Sequence, residues 1–403
     1  MADFDVLIFA ALIVFLFGLV SRKSAQFNVS GAMVFALIGV LVGPEGLAWF
    51  DLHVKAETVQ LLAEVTLMLI LFVDASLIDL SVLRRSPSLL PARLLGIGLP
   101  LTMVAGFMVG VWLFPDLPVW AVALMALILS PTDAALGQAI VKSELVPESI
   151  RQSINIESGL NDGIALPPIL VCLAALGAET SSGHVDSWGW FMLGQLTLGP
   201  LIGVAIGWLG AQLLRQAHTR GWMEETFQRL VALSLALVSY ASAEALGGNG
   251  FIATFCAGLA LGAQRLPMLH SIQAAGEAEG TLLSLGVFLI FGLAMVTTTL
   301  PYWGWLELLY AVLSLTLIRM IPVAIALVGA RMAWPTVLFV GWSGPRGIAS
   351  VLYLLLAVAA LGTQGYEQVL AVIVLTVSLS IVLHGLSAAP LCRWYGTRFG
   401  QRL

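Results

Sequence analysis

Long apolar segments recur along the whole chain, separated by short connections that contain charged residues, proline or glycine. Each segment has about 18 to 25 residues, so that as a helix it crosses a hydrocarbon core of about 30 Å. Of the 403 residues, 59% are hydrophobic and 10% are charged, which excludes an ordinary soluble domain. The sequence therefore predicts an all-α polytopic membrane protein with about thirteen transmembrane helices.

The basic residues predict how this chain is oriented. They collect in alternate connections, beginning with Arg22 and Lys23, whereas the intervening connections hold only Lys55. Because such residues mark cytoplasmic loops, we expect a cell (inner) membrane protein with its N-terminus outside and its C-terminus in the cytoplasm. Only Arg319 and Arg346 fall within predicted spans. A polar stretch at 266–280 is predicted to form a separate surface helix on the cytoplasmic side.

Two short patterns predict inverted repeats. Gly-Val-Leu-Val-Gly at 39–43 resembles Gly-Leu-Ala-Leu-Gly at 258–262, about seven spans later, and an odd offset reverses the orientation of the second copy. The same offset matches Ser-Pro-Thr-Asp at 130–133 with Ser-Gly-Pro-Arg-Gly at 343–347. Proline interrupts helical hydrogen bonding, so both spans are predicted to break near mid-membrane. Paired breaks indicate the substrate site of a secondary transporter, with a pair of simple proline kinks as the alternative.

Oxygen-bearing side chains surround these breaks, and ionisable groups at membrane depth are functional candidates by default. Hard cations such as Na⁺ prefer oxygen ligands. Ser158 and Asp162 are four residues apart and share a helix face, whereas Asn161 lies about 100° round the helix from Asp162. Because proton and Na⁺ compete for the same carboxylate oxygens, Asp162 is predicted to bind them in turn. The candidate residues are Asp74, Thr132, Asp133, Glu157, Ser158, Asn161 and Asp162.

The two arginines within predicted spans need partners. A guanidinium stays charged, so Arg319 is predicted to form a structural ion pair with the buried carboxylate of Glu157. Arg346 directly follows the proline of the second predicted break, at 343–347. There it would offset the negative carbonyl ends of the broken helix or the negative charge of the acidic cluster. A purely structural role for Arg346 remains open beside a role in transport.

These residues resemble the signature of the NhaP-type sodium/proton antiporters of the monovalent cation:proton antiporter-1 family. The similarity covers the whole chain, and its most specific elements are Ser-Pro-Thr-Asp-Ala at 130–134 and Glu-Ser-Gly-Leu-Asn-Asp at 157–162. It implies a homodimer of thirteen-helix subunits that works by alternating access. The implied division is an ion-carrying core at 88–177 and 304–390 and a dimerisation scaffold at 1–87 and 178–303.

The resemblance also implies the roles of residues near the ion. Asp162 corresponds to the aspartate that binds cation and proton, and Ser158 and Thr132 correspond to further cation ligands. Asp74 stands where some members place a glutamate near the ion, which makes it a candidate ligand with a shorter side chain. The pattern also departs at Gly159, where members carry a larger residue.

Other positions match residues that support the site in this family. Asp133 and Asn161 match a pair that stabilises the crossing of the broken helices, and Glu157 and Arg319 match an ion pair. Asparagine before Asp162, where electrogenic relatives have Asp-Asp, implies one-for-one electroneutral exchange. The implied function is Na⁺/H⁺ antiport in pH homeostasis, with Li⁺ or K⁺ as alternative cations. We expect no cofactor, and partners limited to monovalent cations, protons, the lipid bilayer and a second copy.

Two rival functions are alternatives to antiport. Gly-Trp-Ser-Gly at 341–344 satisfies the GxSG pattern of rhomboid intramembrane proteases, and His384 in the following span would complete a dyad with Ser343. That enzyme interpretation leaves the acidic cluster and the repeats unexplained. A cation channel would use the same acids as a selectivity ring. Scattered cysteines and the lack of a basic stripe predict neither a metal cluster nor a nucleic-acid partner.

Overall fold

A computed structural model describes residues 2–49, 57–78, 89–133, 136–141, 143–180 and 188–399, and the regular structure within these ranges is entirely helical. The predicted all-α fold is therefore confirmed. The main helices are α1 Ala2–Gln26, α2 Gly31–Val42, α3 Glu57–Ser76, α4 Leu90–Leu113, α5a Val119–Ile128, α5b Gln138–Val141, α6 Glu148–Thr180, α7 Trp188–Thr219, α8 Val231–Ala245, α9 Gly250–Gly262, α10 Leu269–Tyr302, α11 Trp305–Ala326, α12a Trp334–Trp342, α12b Ile348–Leu361 and α13 Glu367–Phe399.

The lengths and compositions of these helices are those of a membrane protein. Seven helices in the described ranges are long and apolar enough to cross a bilayer, namely α3, α4, α6, α7, α10, α11 and α13, and five shorter apolar helices accompany them. The count of thirteen spans and the orientation stay predictions. Part of the basic-residue argument for that orientation lies outside the described residues, at Lys55, Arg84, Arg85, Lys142 and Arg402.

Two helices break where the sequence predicted. Helix α5a ends at Ile128, and the chain continues without helical structure to Asp133. Helix α12a ends at Trp342, and α12b begins only at Ile348. Each interruption contains a proline, which lacks an N–H group and clashes with the preceding turn. The breaks free backbone polar groups that need partners inside the protein.

The chain forms two compact units. The first consists of Met1–Leu61, Ser86–Ser158 and Ser284–Leu403, and the second consists of Leu62–Arg85 and Gly159–Leu283. Both breaks belong to the first unit. The division into an ion-carrying core and a dimerisation scaffold describes motion during transport, and it stays a prediction.

Close packing at glycine supports the inverted repeats. Within the first unit, Gly39 of α2 lies so close to α10 that a Cβ atom there would overlap the carbonyl oxygen of Leu289. Within the second unit, Gly258 of α9 lies equally close to the carbonyl oxygen of Phe72 in α3. Small residues allow such approach between membrane helices. A seven-helix offset relates α2 to α9 and α3 to α10, so the two contacts are equivalent under the predicted repeat.

The predicted surface helix at 266–280 is wrong as a separate element. Helix α10 begins at Leu269 and continues to Tyr302 as one helical span, with a π-helical stretch at Phe291–Val296. Its first turns pack on α3: the side-chain amide of Gln273 donates to the carbonyl oxygen of Ser76 at 2.8 Å, and a Cβ at Gly276 would lie 2.6 Å from Cγ2 of Val73. The polar residues at 266–280 suggested a surface position, but one side of this part of α10 packs on α3.

Candidate functional site

The two breaks provide hydrogen-bond partners for each other. The backbone N–H of Asp133, in the first break, donates to the carbonyl oxygen of Pro345 in the second at 2.8 Å. In return, the backbone N–H of Ile348 donates to Oδ2 of Asp133 at 2.6 Å. The Asp133 carboxylate therefore caps the N-terminus of α12b, where the helix dipole favours a negative charge. Gly347 lies directly against that carboxylate and leaves no room for a side chain.

Arg346 places a positive charge against backbone carbonyl groups at the other break. Its side chain is 0% exposed, and Nη1 donates to the carbonyl oxygens of Ser130 and Pro131, the latter at 2.9 Å. Ser350 lies in the first turn of α12b, and its hydroxyl donates to the carbonyl oxygen of Ile128 at 2.8 Å. Ile128 is the last residue of α5a, whose C-terminal end carries partial negative charge, and Ser130 and Pro131 follow that end in the break. Each break thus presents a side-chain charge opposite in sign to the helix end that it contacts.

A pair of buried hydroxyl groups lies beside the first break. The Oγ1 atom of Thr132 and the Oγ atom of Ser158 in α6 are 3.0 Å apart. Helix α6 continues without interruption past this point, so Asp162 follows Ser158 by one turn on the same face. Asp162 is 5% exposed and Asn161 is 0% exposed, so both residues are buried.

Asp74, the remaining candidate ligand, lies on α3 within the second unit and is half-buried. Its backbone carbonyl oxygen is 3.7 Å from the position that a Cβ atom would occupy at Gly159 of α6. Gly159 lies between Ser158 and Asp162, so α3 passes this stretch of α6 at van der Waals distance. The departure from the family pattern at Gly159 therefore coincides with a helix–helix contact.

Glu157 and Arg319 lie in contact, fully inside the protein. The Oε1 atom of Glu157 and the Nη2 atom of Arg319 are 2.5 Å apart, and both residues are only 1% exposed. The same guanidinium packs against the second break, because a Cβ atom at Gly344 would lie 2.8 Å from Nε of Arg319 and 3.0 Å from Cγ2 of Thr132. One ion pair thus joins α6, α11 and the backbone of the break.

The serine and histidine of the protease pattern are engaged elsewhere. The hydroxyl of Ser343 donates to the carbonyl oxygen of Phe339 at 2.5 Å, one turn earlier in the chain. Nδ1 of His384 lies 3.1 Å from the hydroxyl oxygen of Ser380. A serine protease dyad requires a hydrogen bond from nucleophile to base. This geometry does not supply one.

Sequence reasoning missed two serines, Ser350 and Ser380, that bond backbone groups at the breaks. Serine in membrane helices commonly bonds its own preceding turn, as Ser130 does with the carbonyl oxygen of Ala126 at 2.6 Å. Residue type therefore carries no signal here.

Comparison with known proteins finds one matching family and several similar antiporters. The model of the family described as "Sodium/hydrogen exchanger, transmembrane" matches residues 10–394. The K(+)/H(+) antiporter NhaP2 of Shewanella oneidensis is 27% identical over 389 residues, which is 93% of this chain and 64% of that protein. The Na(+)/H(+) antiporter 2 of Zygosaccharomyces rouxii is 26% identical over 360 residues, covering 83% of this chain and 44% of that protein.

Structural comparison extends the similarity to the whole fold. The structure of the sodium proton antiporter MjNhaP1 from Methanocaldococcus jannaschii aligns with a TM-score of 0.77, at 21% sequence identity, over 98% of this chain and 99% of that one. The described chain thus has the fold of that protein. It spans 64% of the length of the Shewanella oneidensis relative, so its alignment does not extend over the full length of that protein.

Proposed function

Because this chain belongs to the sodium/hydrogen exchanger family, we propose that it exchanges a monovalent cation for protons across the cell membrane. The observation that carries the proposal is the buried hydroxyl pair of Thr132 and Ser158 beside the first break, one turn of α6 from the buried carboxylate of Asp162. All three residues offer oxygen atoms, which a hard cation prefers. Asp74 is a further candidate ligand.

The mechanism follows from the cost of moving a charge through an apolar barrier. An ionised and empty Asp162 is expensive to move, so the ion-carrying part crosses only when a cation or a proton has neutralised it. One positive charge moves in each direction, which makes the exchange electroneutral. In this proposal the core at 88–177 and 304–390 moves against the scaffold at 1–87 and 178–303 of a homodimer, with the N-terminus outside and the C-terminus in the cytoplasm.

The remaining candidate residues support this site without binding the ion. We assign Asp133 and Asn161 to stabilising the crossing of the broken helices, with Asp133 acting through its cap on α12b. Glu157 and Arg319 hold α6 against α11 as a structural pair. Arg346 compensates the carbonyl end of α5a and needs no contact with the ion. We propose cations, protons, lipid and a second copy as the partners, and no cofactor.

The cation is proposed to be Na⁺, with K⁺ and Li⁺ as the alternatives to be tested, since the two relatives differ in the cation in their names. Purified protein in proteoliposomes with an imposed pH gradient and an internal pH dye is given each cation in turn. We expect dequenching with wild type and none with Asp162→Asn. Asp116→Asn, at an exposed loop carboxylate, is the matched control and should behave as wild type.

The same experiment separates the rival functions. A wild-type protein that gives no response to any of the three cations would overturn the exchanger proposal. A response that persists in Asp162→Asn would leave exchange standing and remove Asp162 from its assigned role. Cation flux that does not move protons would indicate a channel.

A further inference from the structure

Ser380 of α13 lies directly behind the second break. Its side chain is 0% exposed, and its Oγ atom accepts a hydrogen bond of 2.6 Å from the backbone N–H of Arg346. The break at Pro345 removes the helical partner that this N–H would otherwise have. A neighbouring helix therefore supplies an acceptor in the middle of the non-helical segment.

His384 lies within hydrogen-bond distance of that acceptor and of the carbonyl oxygen of Ser380. One turn along α13, its Nδ1 atom lies 3.1 Å from Oγ of Ser380. A serine hydroxyl that accepts from one N–H still has its own proton to donate, so the Ser380 hydroxyl can bond the backbone of Arg346 and the imidazole of His384 together. Rotation of the hydroxyl away from Arg346 would break both hydrogen bonds.

The other end of the break is fixed by the same helix. The ring of Trp342, the last residue of α12a, stacks on the ring of His384 with centroids 4.8 Å apart and planes inclined by 28°. The indole Nε1 of Trp342 donates to the hydroxyl of Ser387 at 2.9 Å. Helix α13 thus holds the chain on both sides of Gly344, a residue that itself adds no side-chain contacts.

The side chain of Arg346 contacts the first break. Its guanidinium bonds the carbonyl oxygens of Ser130 and Pro131, and Thr132 follows them directly. We propose that Ser380, held by His384, is a positioning residue for the cation site: it fixes the backbone of Arg346 and, through that side chain, the carbonyl end of α5a beside Thr132. This inference rests on the proposed function, because Thr132 matters only if it binds the transported cation.

The test compares variants of two serines on the same helix. Ser380→Ala removes the acceptor, whereas Ser378→Ala removes a part-buried hydroxyl that has no hydrogen-bond partner among the described residues. Loss of one buried hydrogen bond should raise the cation concentration for half-maximal exchange about tenfold in Ser380→Ala. Ser378→Ala should stay near wild type. Both variants should reach a maximal rate near that of wild type.

His384 provides a second and independent pair of variants. Asparagine places a hydrogen-bonding atom near the position of Nδ1, and phenylalanine keeps a ring against Trp342 but has no such atom. We expect His384→Phe to raise the half-maximal cation concentration and His384→Asn to restore it to within about twofold of wild type. The concentration of cation that half-saturates the rise in melting temperature should shift in parallel, since it reports binding without transport.

The outcomes distinguish this inference from the proposed function. A wild-type protein without exchange contradicts the proposed function itself. If wild type exchanges normally and Ser380→Ala matches Ser378→Ala in half-maximal concentration, the positioning role is wrong. A fall in maximal rate and melting temperature at unchanged half-maximal concentration indicates a merely structural serine and also overturns the inference.

Discussion

Single charged residues are buried at membrane depth in the first compact unit, and each meets an opposite charge or a helix end. Removing such groups from water costs several kcal/mol for each ion, which is recovered only when partners are well placed. The described structure supplies those partners through one ion pair, one helix cap and one contact with carbonyl oxygens. The residues concerned are Asp133, Glu157, Arg319 and Arg346.

The buried ion pair leads to a prediction about stability. Arg319→Met leaves Glu157 without its partner and should lower the free energy of unfolding by about 3–5 kcal/mol. Adding Glu157→Leu should recover most of that loss, because apolar groups often replace a buried pair at little cost. Unfolding of the two variants in detergent, induced by heat or by denaturant, measures both free-energy changes.

The control for this prediction is an exposed ion pair on the same chain. Arg229 and Glu225 are 2.7 Å apart, with side chains 59% and 73% exposed. Glu225→Gln should change the free energy of unfolding by less than about 1 kcal/mol. A double variant at the buried pair that is no more stable than Arg319→Met alone would contradict the assignment of Glu157 as the partner.

Gly344 gives a second prediction at the residue scale. A methyl group there would press on the guanidinium of Arg319 and on Thr132, so Gly344→Ala should lower the exchange rate about tenfold or more. Gly341→Ala is the control, since its methyl group would meet Met320 at an ordinary 3.4 Å. Initial rates in proteoliposomes at equal protein density compare the two. Equal rates in both variants would show that the contact with Arg319 does not matter.

Among the elements, the broken helices show how far sequence reasoning extends. Proline and glycine within apolar spans predict both breaks, because their effect on a helix is local. Burial predicts that Arg319 needs a carboxylate partner, the family resemblance also points to Glu157, and the structure has the two in contact. The bond from Ser380 to Arg346 depends on how α13 lies against α12, which no local pattern encodes. The single helical span of α10 was missed for the same reason.

Close helix packing leads to a prediction at this scale. A valine at Gly258 would overlap the carbonyl oxygen of Phe72 and force α9 away from α3, which should cost about 1–3 kcal/mol of stability or more. Gly18→Val in α1 is the matched control, because no atom lies near the added Cβ. The melting temperatures of the two variants are compared in one detergent. Similar values would contradict the close approach of α9 and α3.

The molecule as a whole should respond to ion gradients and remain insensitive to voltage. If Asp162 carries one cation or one proton per crossing, no net charge moves, so a membrane potential should leave the exchange rate unchanged. Transport of one net charge would gain or lose about 2.3 kcal/mol per 100 mV. Exchange rates measured at clamped membrane potentials of opposite sign test whether net charge moves. A rate that follows the potential would contradict electroneutral exchange.

The bonds between the two breaks also have a consequence for biosynthesis. The cap from Asp133 to Ile348 joins residues 215 positions apart. At about 5–20 residues per second, the ribosome needs roughly 10 to 40 seconds to deliver the second partner after the first. During that interval the nascent chain carries an open helix end, and Oδ2 of Asp133 lacks the N–H of Ile348, although its Oδ1 atom has a partner in the N–H of Leu136. The early half must therefore be shielded by the insertion machinery or enter the lipid only when its counterpart arrives.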